Sequence, residues 1–375
     1  MKKILFVGND AAFFLSHRLP LARQLGNQGY DVHVAMPEPE SNPSAMSIQS
    51  HGMNYHQFSM DRMSRNPLRE LNTVWSLFRL YQWVQPDLIH HIAVKAILYG
   101  GIAALLSGHT RSIYAFTGIG TLFTHQDIAT RVLRTAITPV YKIIFLPSRA
   151  WAIFQNPDDL GLFTEAGITR EQRSVLIRSS GVNLREFSYR PEPEGTPVII
   201  LAARMLKSKG VHEFAAAARK IHAKGLEARF VLVGEAPYNR DAVPVGVLQQ
   251  WQQEGFLEWW GYRSDMADIL PQAHIICLPS YREGVPKVLL EAAACGRAIV
   301  ASDVPGCREI TLHQQNGLLV EPRSSDALAA GIEILLRNPH KRRRLGHAGR
   351  QLVEQEFSVE RVVHQTLQVY QKLFT

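Results

Sequence analysis

Cysteine is scarce: Cys277, Cys295 and Cys307 are the only three in 375 residues. Three thiols cannot close a disulfide set, and their spacing matches no zinc pattern, so a reducing, cytoplasmic setting is expected. Long apolar runs are missing too. The greasiest stretch, residues 88–106, is interrupted by His90, His91 and Lys95 and does not read as a membrane span. The short apolar run Ile4 to Val7 ends in Gly8-Asn9-Asp10 with no small-residue cleavage site, so no signal peptide is expected. Short-period repeats and low-complexity tracts are absent, as is a convincing Asp-x-Asp metal pair.

Acidic residues are in deficit, 33 Asp and Glu against 41 Lys and Arg, for a net charge of +8. The excess lies early: 18 Lys and Arg face 12 Asp and Glu before residue 186, against 23 and 21 after it. Nucleic acid would suit such a surface, but no recognition module or basic-aromatic interleaving supports it. An anionic membrane surface or a diphosphate-linked lipid fits better. The protein is expected to be soluble or peripheral.

What is present is a 46% apolar chain long enough for two domains, each with its own core. Strand-like runs at 4–7, 31–35, 88–90 and 112–116 alternate with helical patterns. A second series runs through 197–201, 230–234, 258–261, 275–278, 298–300 and 317–320. This alternation predicts an α/β protein of two doubly wound, Rossmann-like domains, with ligands beyond the carboxyl ends of the strands in a cleft. The proline-rich segment 189–196 reads as the linker between a first domain, 1–188, and a second, 197–357; 358–375 reads as a final helix.

The stretch Tyr281 to Glu291 carries the most chemistry. A strand over 275–278 runs into turn residues Pro279, Ser280 and Gly284, and Pro286 suits a first helical position. The helix start offers free N–H groups and a positive pole to a phosphate. Glu283 lies in the loop and Glu291 about five residues into the helix, roughly 7 to 8 Å along its axis. Two acceptor-only side chains around an anion site suit hydroxyls on both sides of a diphosphate. The plain alternative is a solvated helix face, but the small residues Ala292-Ala293-Ala294-Cys295-Gly296 place Glu291 near buried surface, where a charge needs a partner. Arg204 and Lys209 follow the first strand of the second series, where a forked and a point cation would meet the same diphosphate.

The Glu-x7-Glu stretch, Gly296 to Ala301, the Ser302-Asp303 pair, Val304-Pro305-Gly306, Arg308-Glu309-Ile310 and Asn316 to Val320 resemble the retaining family-4 glycosyltransferases of the GT-B fold. The wording around Glu283 is similar to enzymes of bacterial O-antigen and capsule synthesis that act on undecaprenyl diphosphate. The resemblance is specific from about Pro197 onward and looser before it. It implies a nucleotide-sugar donor, UDP-linked, and no cofactor or metal, with Arg204 and Lys209 stabilising the leaving diphosphate, Glu283 binding donor-sugar hydroxyls and Glu291 the ribose. Gly284, Val285, Lys287 and Val288 would complete the donor site, and Tyr262 and Arg263 would lie near the base. It also implies that the last helix crosses back onto the first domain.

The first domain departs from the family pattern. The loop Gly8 to Arg18 lacks the usual paired glycines, and Thr117-Gly118 stands where relatives carry His-Gly. Thr117 can hydrogen-bond but carries no charge, so His91 or His17 becomes the candidate substitute. Asn9, His17, Arg18, His91, Lys95, Thr117 and Gly118 are the acceptor candidates. Phe13 to Leu15 reads as core or as an acceptor approach, and Lys95 shares a face with His91 if that segment is helical. Asn66-Pro67 starts a helix. Arg62, Arg65, Arg69 and Arg79 with Trp75 and Trp83 suit a membrane-surface helix or an ordinary basic one, and 131–149 is a second such segment. The reading is a metal-independent transferase moving a hexose or N-acetylhexosamine onto a polyprenyl-diphosphate saccharide at the inner membrane face. A sugar-nucleotide epimerase and a non-catalytic nucleotide-binding partner are the alternatives.

Overall fold

The computed structural model describes residues 1–61, 64, 66–118 and 128–374. The chain forms two compact units: Met1–Ser180 together with the residues from Val362 onward, and Gly181–Arg361. In unit 1 the strands are β1 (Lys3–Val7), β2 (Asp31–Met36), β3 (Asn54–Gln57), β4 (Leu88–Ile92), β5 (Ser112–Phe116), β6 (Ala150–Phe154) and β7 (Ser174–Leu176). They make one parallel sheet in the order β3-β2-β1-β4-β5-β6-β7. Its helices are α1 (Ala11–His17), α2 (Leu19–Asn27), α3 (Pro43–Ser50), α4 (Pro67–Val84), α5 (Val94–Leu106), α6 (Ile128–Ile144) and α7 (Pro157–Glu165).

Unit 2 holds β8 (Val198–Ala202), β9 (Arg229–Val233), β10 (Glu258–Trp259), β11 (Ile275–Leu278), β12 (Ala298–Ser302) and β13 (Leu318–Val320). They are parallel, in the order β10-β9-β8-β11-β12-β13. Its helices are α8 (Val211–Ala223), α9 (Val245–Gln253), α10 (Met266–Ile269), α11 (Lys287–Ala294), α12 (Pro305–Arg308), α13 (Ser325–Arg337) and α14 (Pro339–Glu356). The last helix, α15 (Val359–Phe374), begins in unit 2 and belongs to unit 1 from Val362.

Successive strand residues point to opposite faces, so a sheet covered on both sides reads as an unbroken apolar run. β8 shows this: Ile199 and Leu201 pack with Phe214 of α8, and Ile200 with Leu289 and Leu290 of α11. In unit 1, Ile4 and Phe6 face Phe14 of α1 and Val369 and Tyr370 of α15, whereas Leu5 and Val7 face Leu77 and Tyr81 of α4. All three cysteines are buried free thiols. Phe14 is core, while Phe13 and Leu15 pack at its margin.

Three strands, β3, β6 and β7, escaped the sequence reading. Residues 189–196, read as a linker, lie inside unit 2, where Glu192 pairs with Arg342 at 2.6 Å. His91 lies on β4 and Lys95 on α5, so the two do not share a helix face. The greasy stretch 88–106 divides into that strand and helix, and no described helix is long and apolar enough to cross a membrane.

A buried cation ties the return from α11 into β12. Arg297 is 2% exposed and has no carboxylate within salt-bridge distance among the described residues. It donates instead to backbone carbonyls of Cys295 at 3.1 Å, Pro271 at 3.3 Å, Ala273 at 3.2 Å, and Arg190. Truncation would strand four carbonyls in the interior. Arg297→Ala is therefore expected to lower unfolding free energy by about 3 kcal/mol or more in urea titration, and Arg297→Lys to recover only part of it.

Candidate active site

The carboxyl ends of β8, β9, β11 and β12 converge on one loop cluster. After β8 the chain turns through Arg204 to Gly210 into α8, and after β11 through Pro279 to Pro286 into α11. Gly210 has φ +72°, and a Cβ there would collide with the Pro279 carbonyl, so the two loops touch backbone to backbone. The Tyr281 amide donates to the Ser208 carbonyl at 2.9 Å and fixes their register. On the other side α12 brings Gly306 against Gly284 so closely that any Cβ would fall on the Gly284 carbonyl oxygen. Glycine is required there by contact.

These approaches bring Lys209 and Glu283 together. The Lys209 ammonium lies 2.5 Å from Glu283 Oε1, with the side chains 22% and 10% exposed. One of three lysine donors and one of two glutamate oxygens are thereby used, leaving two N–H groups for phosphate and one oxygen for a hydroxyl. Arg204 is exposed, and its guanidinium has no partner among the described residues. Asp241, from the β9–α9 loop, accepts from the Ser208 amide at 3.2 Å and from its hydroxyl, and the Lys207 amide donates to the Asp241 carbonyl at 2.8 Å. No sequence signal marked Asp241, because the contact spans 33 residues.

Pro286 is not the first residue of α11. It has ψ 115°, which places it at the N-cap, and the helix starts at Lys287. Glu291 is 8% exposed and ion-paired to Lys287, one turn before it, at 3.1 Å. Burial pushes its carboxyl above the ordinary carboxylate range, against the pull of Lys287. Val285 and Val288 pack against the core behind it. Tyr262 and Arg263 follow β10, at the sheet edge: Tyr262 is exposed and Arg263 is paired with Asp265 at 2.8 Å.

Unit 1 orders its candidates differently. Asn9 and Thr117 lie just past the carboxyl ends of β1 and β5, half-buried, and Gly118 has φ +129°. Residues 119–127 lie outside the described residues, as do Arg62, Met63 and Arg65. His91 is corrected to a core residue: it is fully buried, 3.1 Å from the Tyr81 hydroxyl, and burial pushes its imidazole down to about 3. Lys95 is corrected to a clamp, since its ammonium donates to the carbonyls of Asp61 at 2.9 Å and Ser64 at 2.8 Å and pairs with Glu70 at 2.9 Å. His17 ends α1 and stacks on Phe13, with ring centroids 3.9 Å apart. Arg18 sits between α1 and α2, 5% exposed beside Tyr370 and His90, so it offers little surface to a large ligand. Ala93, after β4, has φ +72°, a strained conformation of the kind found at ligand sites, and nothing in the sequence marked it.

Residues 196–338 match the family of glycosyl transferases group 1, and residues 3–146 match glycosyl transferase 4-like proteins. The chain is a glycosyltransferase, each half matching its own glycosyltransferase model. This transferase is 28% identical over 347 residues, 89% of each chain, to the N,N'-diacetylbacillosaminyl-diphospho-undecaprenol alpha-1,3-N-acetylgalactosaminyltransferase of Campylobacter jejuni. It is 22% identical to the capsular polysaccharide biosynthesis glycosyltransferase CapM of Staphylococcus aureus, over 92% of this chain and 91% of that one. A glycosyltransferase from Rickettsia africae superposes with TM-score 0.79 at 17% identity, covering 100% of this chain and 99% of that one. Anabaena HepE in complex with UDP-glucose does so with TM-score 0.78 at 19% identity, covering 99% and 100%. The fold is GT-B, and the epimerase and non-catalytic alternatives give way to a transferase.

The raised Glu291 carboxyl sets a pH dependence. A group whose pKa rises on folding stabilises the fold while protonated, and that contribution is lost as pH climbs through the raised value. Glu291→Gln should gain thermal stability relative to the wild type as pH rises from the ordinary carboxylate range through the raised value, read from paired melting curves. In the same cluster, Gly306→Ala should displace the Glu283–Gly284 segment and abolish nucleotide binding by calorimetry while the fold survives by circular dichroism.

Proposed function

We propose that this glycosyltransferase moves a hexose or N-acetylhexosamine from a UDP-sugar to a polyprenyl-diphosphate-linked saccharide in cell-envelope polysaccharide synthesis, with retention and without a metal. The observation that carries the reading is the Lys209–Glu283 pair at the loops following β8 and β11, with Arg204, on the first of those loops, exposed and without a partner among the described residues. The acceptor class is supported by the Campylobacter relative, whose name specifies an undecaprenyl-diphosphate acceptor, and the donor by HepE, which binds UDP-glucose.

In this reading the bond from the sugar anomeric carbon to the diphosphate oxygen breaks, and its electron pair stays with the diphosphate. Arg204, Lys209 and the amides opening α11 receive that growing charge. An acceptor hydroxyl oxygen bonds to the anomeric carbon from the leaving-group face, and its proton passes to the departing phosphate oxygen. Glu283 holds donor-sugar hydroxyls and Glu291 the ribose diol, with Gly284, Val285, Lys287 and Val288 shaping the pocket and Tyr262 and Arg263 toward the base. Cations fixed on the protein do the work a metal would otherwise do. Asn9, Thr117 and Gly118 remain acceptor contacts in unit 1, with His17 and Arg18 in supporting positions.

The lipid acceptor calls for a membrane surface, and α4 is suited to one. Leu68, Leu71 and Trp75 recur at helical spacing with exposures of 75%, 65% and 59%, flanked by exposed Arg69 and Arg79. In this reading the protein is a peripheral enzyme on the cytoplasmic face.

Arg204→Ala and Lys209→Ala should each cut turnover about 10²–10³-fold, and wild-type turnover in both would sink the assignment. Calorimetric titration in chelator should show UDP bound in preference to GDP; binding of neither would contradict the donor reading. Arg69→Glu with Arg79→Glu should release the protein from anionic vesicles in flotation, and undiminished flotation would remove α4 from the membrane contact.

A further inference from the structure

Tyr281 stands two residues before Glu283 and is tied to three separate elements. Its hydroxyl donates to Glu213 Oε1, in the first turn of α8, at 2.7 Å. Its ring lies under the guanidinium of Arg323, 4.6 Å from the centroid, and Arg323 is held at φ +61°, a left-handed conformation that a bulky side chain adopts at a cost. Its amide donates to Ser208, the residue before Lys209. The other Glu213 oxygen is buried without a partner, so the tyrosine hydroxyl is the one side-chain donor recorded for that carboxylate among the described residues. Burial, then the bond to Glu213, push the phenol up to about 12, which keeps it protonated as the donor at neutral pH.

We propose that Tyr281, anchored by Glu213 and Arg323, is a positioning residue that holds the Glu283 loop and the Lys209 turn at ion-pair distance. The inference rests on the reading of Lys209 and Glu283 as the reacting-site pair. The phenol touches no reacting atom; it acts through the backbone. Its side chain fixes where α8 begins and its amide fixes where the Lys209 turn ends, so the ammonium and the carboxylate are set by one ring. A misplacement of about 1 Å at such a pair is enough to cost turnover by orders of magnitude.

Tyr281→Phe keeps the ring under Arg323 and removes only the hydroxyl. It should lower kcat about tenfold while the donor KM changes less than about twofold. Glu213→Ala should give the same loss, the double variant no more than either single one, and Glu213→Gln, which keeps an acceptor oxygen, should restore most of it. Hydrogen exchange supplies a readout independent of turnover: amides of residues 280–285 and 207–209 should exchange faster together in Tyr281→Phe, with β8 and β11 unchanged. Additive losses, a raised KM at constant kcat, or unaltered exchange in those two segments would overturn the proposal. If Tyr281→Phe loosens β8 and β11 as well, Glu213→Ala, which leaves the tyrosine in place, decides by the same criteria. A wild-type protein without transfer activity would count against the functional reading, and the exchange comparison would still decide the role of Tyr281.

Discussion

The ion pair between Lys209 and Glu283 is the constraint around which unit 2 is arranged. Two flexible side chains separated by 74 residues meet at 2.5 Å, with the carboxylate nearly enclosed. Such a pair gains little unless its geometry is held by something else, since desolvation offsets most of the Coulomb attraction. Here the backbone holds it. Gly210 against Pro279 and Gly306 against Gly284 are contacts of main chain on main chain, and they leave the loops following β8, β11 and β12 no room to slide. A pair fixed in this way is preorganised: an anion arriving beside it would find the cation already in place, with little reorganisation remaining.

The same arrangement explains why a buried carboxylate persists at Glu291. A solitary helix of eight residues with an acid facing the core would be a liability, and burial does push the carboxyl toward its neutral form. Lys287, one turn earlier, supplies partial compensation at 3.1 Å. The second carboxylate oxygen keeps hydrogen-bonding capacity beyond that pair, of the kind a diol can use.

Legibility in the sequence followed the physics of each element. Strands buried on both faces, such as β8 with Val198-Ile199-Ile200-Leu201-Ala202 and β11 with Ile275-Ile276-Cys277-Leu278, announce themselves as apolar runs. β3 reads Asn54-Tyr55-His56-Gln57 and sits at the sheet edge, where the sheet pairs it on one side and polar residues suffice. β7, with three half-buried residues, is too short to show any period. His91 and Lys95 misled because four-residue spacing means one face only inside one helix, and a strand–helix boundary at Ala93 separates them. Local signals marked Glu283 and Glu291, whereas Asp241, Glu213 and Arg323 act through contacts that no spacing encodes.

The contrast between the two units has a chemical origin. A diphosphate joined to a ribose is the same object in every reaction that uses it, so its recognition is met by backbone geometry, glycines at fixed contacts and charges at fixed offsets, all of which leave a pattern in the sequence. An acceptor saccharide differs from one polymer to another, and its recognition falls to side chains on loops carried by the same scaffold. Unit 1 shows this division. Its interior uses polar residues for packing, as with His91 against Tyr81 and His90 against Tyr370, while the positions past β1 and β5 carry Asn9 and Thr117 without a charged partner among the described residues. A hydroxyl and an amide at those two positions can hydrogen-bond a saccharide but carry no charge. The Lys209–Glu283 pair, by contrast, sits on unit 2 loops braced backbone to backbone at Gly210 and Gly306.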